Sequence, residues 1–193
     1  MFDFSAKQIK AIRAALECKD LSKDNYEIIK DMLVGNIDDI KVDEIQTKIH
    51  AEEKTYYDHA KLFVDGASDL RTETAGIGGV LYNNGQEIDS FACPLYDKTN
   101  NEAEYLSLIK GIELSLSLNI KNLAIYADSE LVVRQVMGAY KVKNTRMQEL
   151  HKIVMEKLNK LSKWKITHVR REENERADEL SKIGLDEARS QKP

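Results

Sequence analysis

The 193 residues of the chain suffice for one ordinary domain, or for a domain of about 130 residues with a small addition. Hydrophobic residues make up 42% and charged residues 32% of the chain, which permits a packed core and excludes disorder over its whole length. The longest apolar runs fall far short of the roughly 20 residues that span a bilayer, so we expect a cytoplasmic protein without a membrane segment.

The first fifty residues predict a small helical appendage. Apolar residues recur there at helical spacing in three segments, each too short to form a stable helix alone. Residues 1–58 carry 9 basic and 13 acidic side chains, which accounts for the net charge of −4 of the whole chain. We interpret residues 1–50 as a helical region of unassigned role, with a protein partner as one candidate, and residues 51–58 as a linker.

Residues 59–96 have the pattern of three consecutive antiparallel strands. The segments KLFVDGA, AGIGGVLYNN and QEIDSFACPLY are rich in the residues that favour strands. Asn84-Gly85 separates the last two segments, and this pair is a strong signal for a two-residue hairpin turn. The sequence therefore predicts a three-stranded meander at the start of the larger domain.

The rest of the chain alternates helices and strands. A helix predicted from residue 100 is followed by the almost wholly apolar strand NLAIYAD, and then by two helices, the strand WKITHVR and a last helix. An apolar strand between helices belongs inside a sheet that is covered on both faces. We therefore predict an α/β fold with a five-stranded mixed sheet flanked by helices. We assign residues 59–189 to this domain and residues 190–193 to a tail.

Four carboxylates fall where such a fold has no structural need for them. Asp65 and Asp128 each follow an apolar strand, and turn capping or helix capping is the simpler interpretation of either residue alone. Asp178 lies in the first turns of the last helix, where its charge suits the helix dipole. Glu104 is the unusual member, because it shares a helix face with Leu108 and is therefore predicted to face the core.

Together the four carboxylates indicate a metal site, because a buried carboxylate without a cation is costly. Carboxylates that converge without enough buried lysine or arginine call for a divalent metal, and oxygen ligands suit magnesium or manganese. Two such ions about 4 Å apart activate a water and stabilise the leaving oxygen in phosphodiester hydrolysis. The acidic residues therefore favour a phosphodiesterase.

Four motifs resemble those of type 1 ribonuclease H. They are FVDGAS at 63–68, TNNEAEY at 99–105, YADSELVV at 126–133 and ENERADELS at 173–181, in the family's order. The predicted strands and helices of the domain also follow the order of that family, in its archaeal-type short form without the basic protrusion. The resemblance implies a ribonuclease H-like fold and endonucleolytic cleavage of the RNA strand of RNA/DNA hybrids.

The resemblance also implies a role for each acidic residue. Asp65 would bridge two Mg²⁺ ions, for which Mn²⁺ is a substitute, and Asp128 would share the ion on the nucleophile side. Glu104 and Asp178 would complete the coordination shells. Arg171 lies in the loop before the last helix, where similar archaeal-type members place an arginine and others a histidine. It would assist proton movement or product release.

His168 is the alternative to Arg171 for this role because of its residue type. It lies on the predicted strand that precedes Arg171. We interpret it instead as a strand histidine that packs beside Trp164.

Two asparagines and one arginine are candidate contacts to a nucleic acid. Asn100 and Asn101 match the asparagines with which the family contacts the hybrid across its minor groove, although Asn100 also suits a helix cap. The family's glycine- and proline-rich loop is replaced here by DLRTET at 69–74. Within that loop, Arg71 is a candidate phosphate contact.

Two lysines are further candidates. Residues 139–171 hold ten basic and two acidic side chains, a net charge of +8. Lys141 and Lys143 lie in this stretch, in the short link that replaces the extra basic helix of some family members. A phosphate-facing surface and a solvated helix face both explain such a charge.

We predict a magnesium-dependent endoribonuclease that acts on RNA/DNA hybrids as a monomer. The alternative is a non-catalytic hybrid- or protein-binding module that retains the fold, which the altered loop at 69–74 favours. A third interpretation is the same fold cutting another substrate, as integrases and junction resolvases do. Asn100 and Asn101 favour the hybrid over duplex DNA.

Overall fold

A computed structural model describes residues 57–191, and these form one five-stranded sheet flanked by helices. The strands are β1 (His59–Asp69), β2 (Thr74–Asn83), β3 (Gln86–Tyr96), β4 (Asn122–Ala127) and β5 (Lys163–His168). Their order is β3-β2-β1-β4-β5, with antiparallel pairing among β1, β2 and β3 and parallel pairing of β4 with β1 and β5. The predicted α/β class and mixed sheet are confirmed. The predicted helical region at 1–50 lies outside the described residues.

The helices are α1 (Asn100–Ser117), α2 (Glu130–Val136), α3 (Thr145–Leu158) and α4 (Glu175–Gln191), with a short 3-10 helix at Arg171–Glu173. Thr99 caps α1, because its hydroxyl accepts from the backbone N–H of Glu102 while the Glu102 carboxylate accepts from the backbone N–H of Thr99. Capping by Asn100 is therefore wrong, and Glu102 is buried in this capping box. At the other end of the domain, α4 extends to Gln191, inside the predicted tail.

The meander of β1, β2 and β3 has one turn that the sequence predicts and one strand that is longer than expected. Asn84 and Gly85 have φ angles of 50° and 83°, the left-handed conformation that a tight hairpin turn requires. β1, however, does not end at Asp65. It continues to Asp69, and Asp65 pairs with Gly78 of β2 in mid-strand. Turn capping therefore does not explain Asp65.

Alternating residues of β1 face opposite sides of the sheet. Leu62 and Val64 are buried on the side of α1, where Gly111 lets the helix approach the Leu62 side chain. Phe63 and Asp65 point to the side on which α4 packs. Within residues 57–191, no helix is both long and apolar enough to cross a membrane.

Two glycines of β2 let α4 lie directly on the sheet. A Cβ on Gly78 would be 2.2 Å from the backbone nitrogen of Ser181, and one on Gly76 would be 2.1 Å from that of Leu185. Real atoms do not approach so closely, so no other residue fits at either position. This packing brings the first turns of α4 to Asp65.

We expect Gly78→Ala to destabilise the domain by about 3 kcal/mol, since the added methyl group meets helix backbone that cannot move alone. Urea unfolding followed by circular dichroism measures the change. Gly79→Ala is the matched control on the same strand. Its Cβ would meet ring atoms of Phe91 at 2.5 Å, and a side chain can turn aside, whereas the nearest backbone atom, the oxygen of Phe63, would be 3.2 Å away. If Gly79→Ala lowered the free energy of unfolding as much as Gly78→Ala does, close packing of helix backbone on Gly78 would be contradicted.

Candidate active site

Asp65 and Asp128 are neighbours because β1 and β4 are parallel and adjacent. Val64 of β1 pairs with Ala127 of β4. The next residues along the two strands, Asp65 and Asp128, therefore lie at the same level of the sheet. Helix capping does not explain Asp128, since Ser129 occupies the N-cap position of α2 and makes no side-chain cap. Both aspartates are thus placed by the sheet itself.

Glu104 reaches the two aspartates from α1. A Cβ on Gly66 would be 2.4 Å from the backbone nitrogen of Glu104, so α1 meets β1 with no side chain between them. One carboxylate oxygen from each of Asp65, Glu104 and Asp128 lies within 4.8 Å of the others. The first two residues are buried, and Asp128 is half-buried. We call this group the carboxylate cluster.

Burial and mutual repulsion favour the protonated forms within the carboxylate cluster. Burial is the main cause that raises the pKa of Glu104 to about 9, and the charges of Asp65 and Asp128 raise it further. Burial also raises the pKa of Asp65 to about 6, against a hydrogen bond from Ser181 that lowers it. Because a bound cation relieves this repulsion, the all-oxygen donor set fits a hard divalent ion such as Mg²⁺ or Mn²⁺.

Asp178 lies beside the carboxylate cluster and is paired with protein cations. Arg171 and Lys182 donate to its two carboxylate oxygens. Burial would raise the pKa of Asp178, but these two ion pairs together hold it below its usual value. The negative charge of Asp178 also raises the pKa of Asp65. The structure thus brings three of the predicted acids together and places the fourth at their margin.

Asn174 and Ser181 hold Asp128 and Asp65 in place. The sequence pattern did not single out either residue, although both lie in the segment ENERADELS. The Asn174 amide donates to the backbone oxygen of Val64 at 2.9 Å and to Asp128 Oδ1 at 3.1 Å. Its own Oδ1 is buried with no hydrogen-bond partner among residues 57–191. Ser181 Oγ, also buried, donates to Asp65 Oδ2.

Arg171 and His168 both lie at the exposed rim of the site. Arg171 begins the 3-10 helix, and its side chain is 68% exposed although it contacts Asp178. His168 ends β5, where its Nε2 is 3.1 Å from the backbone oxygen of Asp128. The imidazole is therefore next to the backbone of a cluster residue.

A polar cavity of about 500 Å³ lies where α1 and α3 begin. It is lined by Thr99, Asn101, Glu102, Asn144, Thr145, Arg146 and Met147. Free N–H groups and the positive dipole end make a helix start favourable for anions, and two such ends meet here. The Glu102 carboxylate opposes this effect, although Arg146 lies 3.9 Å from it. Asn144 and Thr145 were not predicted, although an Asn-Thr pair before a helix is a capping signal.

The remaining predicted contacts are exposed. Arg71 lies in the turn between β1 and β2, with its side chain 89% exposed and its nearest carboxylate that of Asp69. Lys141 and Lys143 are exposed in the link between α2 and α3. Asn100 and Asn101 open α1, and Asn101 lines the polar cavity.

A sheet of order β3-β2-β1-β4-β5, with a carboxylate cluster where the parallel strands β1 and β4 meet, defines a ribonuclease H-like domain with a site suited to divalent metal ions. Residues 63–184, more than half of the chain, match the family model described as reverse transcriptase-like. The chain belongs to the ribonuclease H family.

Three comparisons describe its relatives. Ribonuclease HI of Halobacterium salinarum is 33% identical over 127 residues, which are 65% of this chain and 64% of that protein. The crystal structure of RNase H1 from the same organism superposes with a TM-score of 0.65 at 32% identity, over 67% of this chain and 99% of that one. LC11-RNase H1, solved in complex with RNA/DNA hybrid, gives a TM-score of 0.62 at 31% identity, over 67% and 98% of the two chains.

Proposed function

We propose that this chain is a magnesium-dependent endonuclease that hydrolyses the RNA strand of RNA/DNA hybrids. The observation that carries the proposal is the carboxylate cluster, with one oxygen from each of Asp65, Glu104 and Asp128 within 4.8 Å of the others. Membership of the ribonuclease H family supports it, as does the hybrid bound to LC11-RNase H1.

Asp65, Glu104, Asp128 and Asp178 are the residues that would hold the metal in this proposal. Two Mg²⁺ ions, or Mn²⁺ in their place, would supply an activated water and stabilise the leaving oxygen. The chain's own part is to fix the carboxylates. The Asn174 amide orients Asp128, the Ser181 hydroxyl orients Asp65, and Gly66 lets α1 bring Glu104 into reach.

Arg171 has a separate role in the proposal. Its guanidinium is at the rim, contacts Asp178 and stays charged, so it fits a group that neutralises the phosphate or its product and not a proton acceptor. Release of Asp178 from Arg171 and Lys182 would accompany metal binding at that residue. His168, beside the Asp128 backbone, is the alternative group for moving a proton.

Hybrid binding is assigned to the polar cavity and the exposed basic residues. The starts of α1 and α3 suit one backbone phosphate, with Asn101 and Thr145 as hydrogen-bond donors. Asn100 and Asn101 are the proposed contacts to the minor groove, and Arg71, Lys141 and Lys143 are proposed phosphate contacts.

The proposal is tested with the full chain and an end-labelled RNA/DNA hybrid, beside an RNA duplex and a DNA duplex of the same sequence. We expect internal cuts in the RNA strand of the hybrid with Mg²⁺ or Mn²⁺ and none with EDTA. Binding of the hybrid without cutting under either metal would instead support the non-catalytic module. Cutting of all three duplexes would point to another substrate for the same fold.

We expect Ser181→Ala to weaken Mn²⁺ binding about tenfold, because Asp65 loses the hydrogen bond that fixes its orientation. Calorimetric titration of the metal-free protein measures the affinity directly. Ser115→Ala is the matched control, since Ser115 is an equally buried helical serine that donates to the backbone oxygen of Gly111 at 2.8 Å. Both variants should lose similar thermal stability. Equal Mn²⁺ affinities would show that Ser181 does not position Asp65.

We expect the double change Lys141→Ala and Lys143→Ala to lower the dependence of hybrid affinity on salt. Each lost phosphate contact removes about 0.9 from the slope of log affinity against log salt concentration, so the slope should fall by about 1.8. Fluorescence anisotropy in EDTA gives the slope, and the cut sites in Mg²⁺ should not move. Lys152→Ala with Lys160→Ala is the control pair of exposed lysines. A slope unchanged by the first pair would remove these lysines from the interface.

Localisation and assembly are part of the proposal. We propose that the protein is cytoplasmic and a monomer. The protein partner for residues 1–50 stays a prediction from their acidic, helical pattern.

A further inference from the structure

The sheet face that carries Asp65 has a second feature, which the proposed reaction does not use. Phe63 of β1 pairs in register with Tyr126 of β4, and their rings stack with centroids 4.6 Å apart and planes 15° apart. Tyr82 of β2 meets Phe63 edge-on at 5.8 Å. All three side chains are only half-buried. Three aromatic rings are thus partly open to solvent on neighbouring strands.

Exposed lysines adjoin the three rings on the same face. Lys61 precedes Phe63 by two residues, so both side chains point the same way. Lys61 pairs with Ala124, which in turn pairs with Lys165 of β5, and Lys163 lies two residues before Lys165. At the spacing of strands in a sheet, Lys61 and Lys165 start about 10 Å apart.

Two carboxylates at the margin of this face have partners of their own. Glu87, opposite Tyr82 on β3, is ion-paired with Arg176 at 3.4 Å. Asp58, before β1, accepts from the Asn122 amide at 3.3 Å. Within residues 57–191, Lys61, Lys163 and Lys165 form no ion pair, so their positive charges adjoin the aromatic rings without a bound carboxylate.

One groove lies on the face and a second adjoins it at the edge of the sheet. One, of about 470 Å³, is lined by His59, Lys61, Phe63, Tyr82, Asn84 and Gly85. The other, of about 240 Å³, runs along the starts of β1, β4 and β5 and shares His59 and Lys61 with the first. The larger groove is in the size range of small-ligand sites, which is ample for one nucleobase with its sugar.

We propose that this face is an accessory binding site for single-stranded nucleic acid. Bases would pack against Phe63, Tyr82 and Tyr126, and phosphates would lie at Lys61 and Lys165. We call these five residues the aromatic–lysine face. It lies toward the starts of the parallel strands, whereas the carboxylate cluster lies toward their ends. Along β1, Asp65 follows Phe63 by two residues, or about 7 Å, and Lys61 by four residues, or about 13 Å.

Single strands fit this face better than duplexes do. Unpaired bases expose the flat surfaces that stack on aromatic side chains, whereas a duplex buries them between its own base pairs. The rings offer no pattern of hydrogen-bond donors and acceptors that would read a sequence. Binding should therefore tolerate any base and depend on salt.

The test uses the full chain in EDTA, where nothing is cut, with fluorescein-labelled 12-nucleotide oligo(dT) and oligo(U). We expect both to bind in fluorescence anisotropy. Lys61→Gln with Lys165→Gln should lower the slope of log affinity against log salt by about 1.4, since each phosphate contact on a single strand contributes about 0.7. Lys152→Gln with Lys160→Gln, exposed lysines elsewhere, should leave it unchanged. Binding of only one oligonucleotide would restrict the site to DNA or to RNA.

Aromatic variants separate stacking from charge. Phe63→Leu and Tyr126→Leu should each weaken binding about fivefold or more at constant salt slope, because leucine fills space but cannot stack on a base. Single-strand affinity unaffected by both the lysine pair and the leucine variants overturns the proposal, and the exposed lysines decide it even if a leucine variant unfolds. Polyglutamate that binds as tightly, with no loss in the leucine variants, overturns it in favour of an acidic protein partner. Hybrid cleavage by the lysine-pair variant should equal that of the parent, so this test does not depend on the outcome for the carboxylate cluster.

Discussion

Asp128→Asn is expected to reduce cleavage of the RNA strand by roughly 10²- to 10³-fold in Mg²⁺, the size of effect that loss of one preorganised group has on transition-state stabilisation. The change removes one negative charge and almost no volume. Asparagine keeps the Oδ1 that accepts from the Asn174 amide, and Asp128 caps no helix, so nothing in the fold depends on its charge. Activity should therefore fall without loss of structure.

Binding distinguishes the enzyme from a binding module in the same experiment. Hybrid affinity of Asp128→Asn should equal or exceed that of the parent, because one repulsive charge near the phosphates is gone. Asp186→Asn is the control for the charge change, since Asp186 is an exposed residue of α4 paired with Arg189. Equal rates of cutting by Asp128→Asn and by the parent would show that Asp128 does not take part in catalysis. A parent protein that binds the hybrid but never cuts it would show that the chain is a binding module and not an enzyme.

Glu104→Gln is expected to abolish cleavage and at the same time to stabilise the metal-free protein. Glutamine keeps an oxygen for the backbone N–H of Gly66, which hydrogen-bonds the Glu104 side chain, and it cannot be ionised. At pH 8 we expect the melting temperature in EDTA to rise by roughly 3 °C or more. Differential scanning calorimetry measures it.

The stability of the metal-free protein should fall as pH rises, and the direction follows from the raised pKa of Glu104. The folded-state pKa of Glu104, about 9, is above the value in an unfolded chain, so the native state binds more protons between about pH 4.5 and 9. Stability of the metal-free parent should therefore fall as pH rises through that window, first through the pKa of Asp65 at about 6. Glu104→Gln should flatten the upper part of the curve. Added Mg²⁺ should restore most of the parent's stability at high pH and little of the variant's.

Glu102→Gln is a matched control with the opposite expected sign. Glu102 is also a buried glutamate of α1, but hydrogen bonds from Thr99 and the charges of Lys98 and Arg146 outweigh its burial and lower its pKa. Neutralising it should therefore destabilise the domain. If both glutamine variants changed stability in the same direction, the protonation of Glu104 would not be the cause.

The sequence was sufficient for the parts of the fold that depend on local pattern. The Asn84-Gly85 turn and the apolar run of β4 are encoded within a few residues each, so the meander and the mixed sheet follow from them. The convergence of Asp65 and Asp128 was expected from their residue type and the motif resemblance, and the structure supplies its cause in the parallel pairing of β1 with β4. The resemblance to the family's four motifs was the basis for assigning a role to each of the four acidic residues.

Contacts between elements that are distant in the sequence could not be predicted from local pattern. Ser181 reaches Asp65 only because Gly76 and Gly78 admit α4 to the sheet, and neither glycine reveals which helix it will receive. The capping box at Thr99 buries Glu102, which helical periodicity alone puts on an exposed face. The two cations on Asp178 depend in the same way on tertiary packing.

The parallel pairing of β1 with β4 also has a consequence for folding. Asp65 and Asp128 are 63 residues apart in the sequence, and their strands meet only after the chain has closed a long loop that contains β2, β3 and α1. Closing such a loop is entropically costly and comes after local pairing such as the hairpin. A chain that has formed only the meander has no paired aspartates, so a cation that needs both binds the native state and not its precursors. Such an ion would prolong the life of the folded molecule by slowing its unfolding, and would leave the rate at which it folds unchanged.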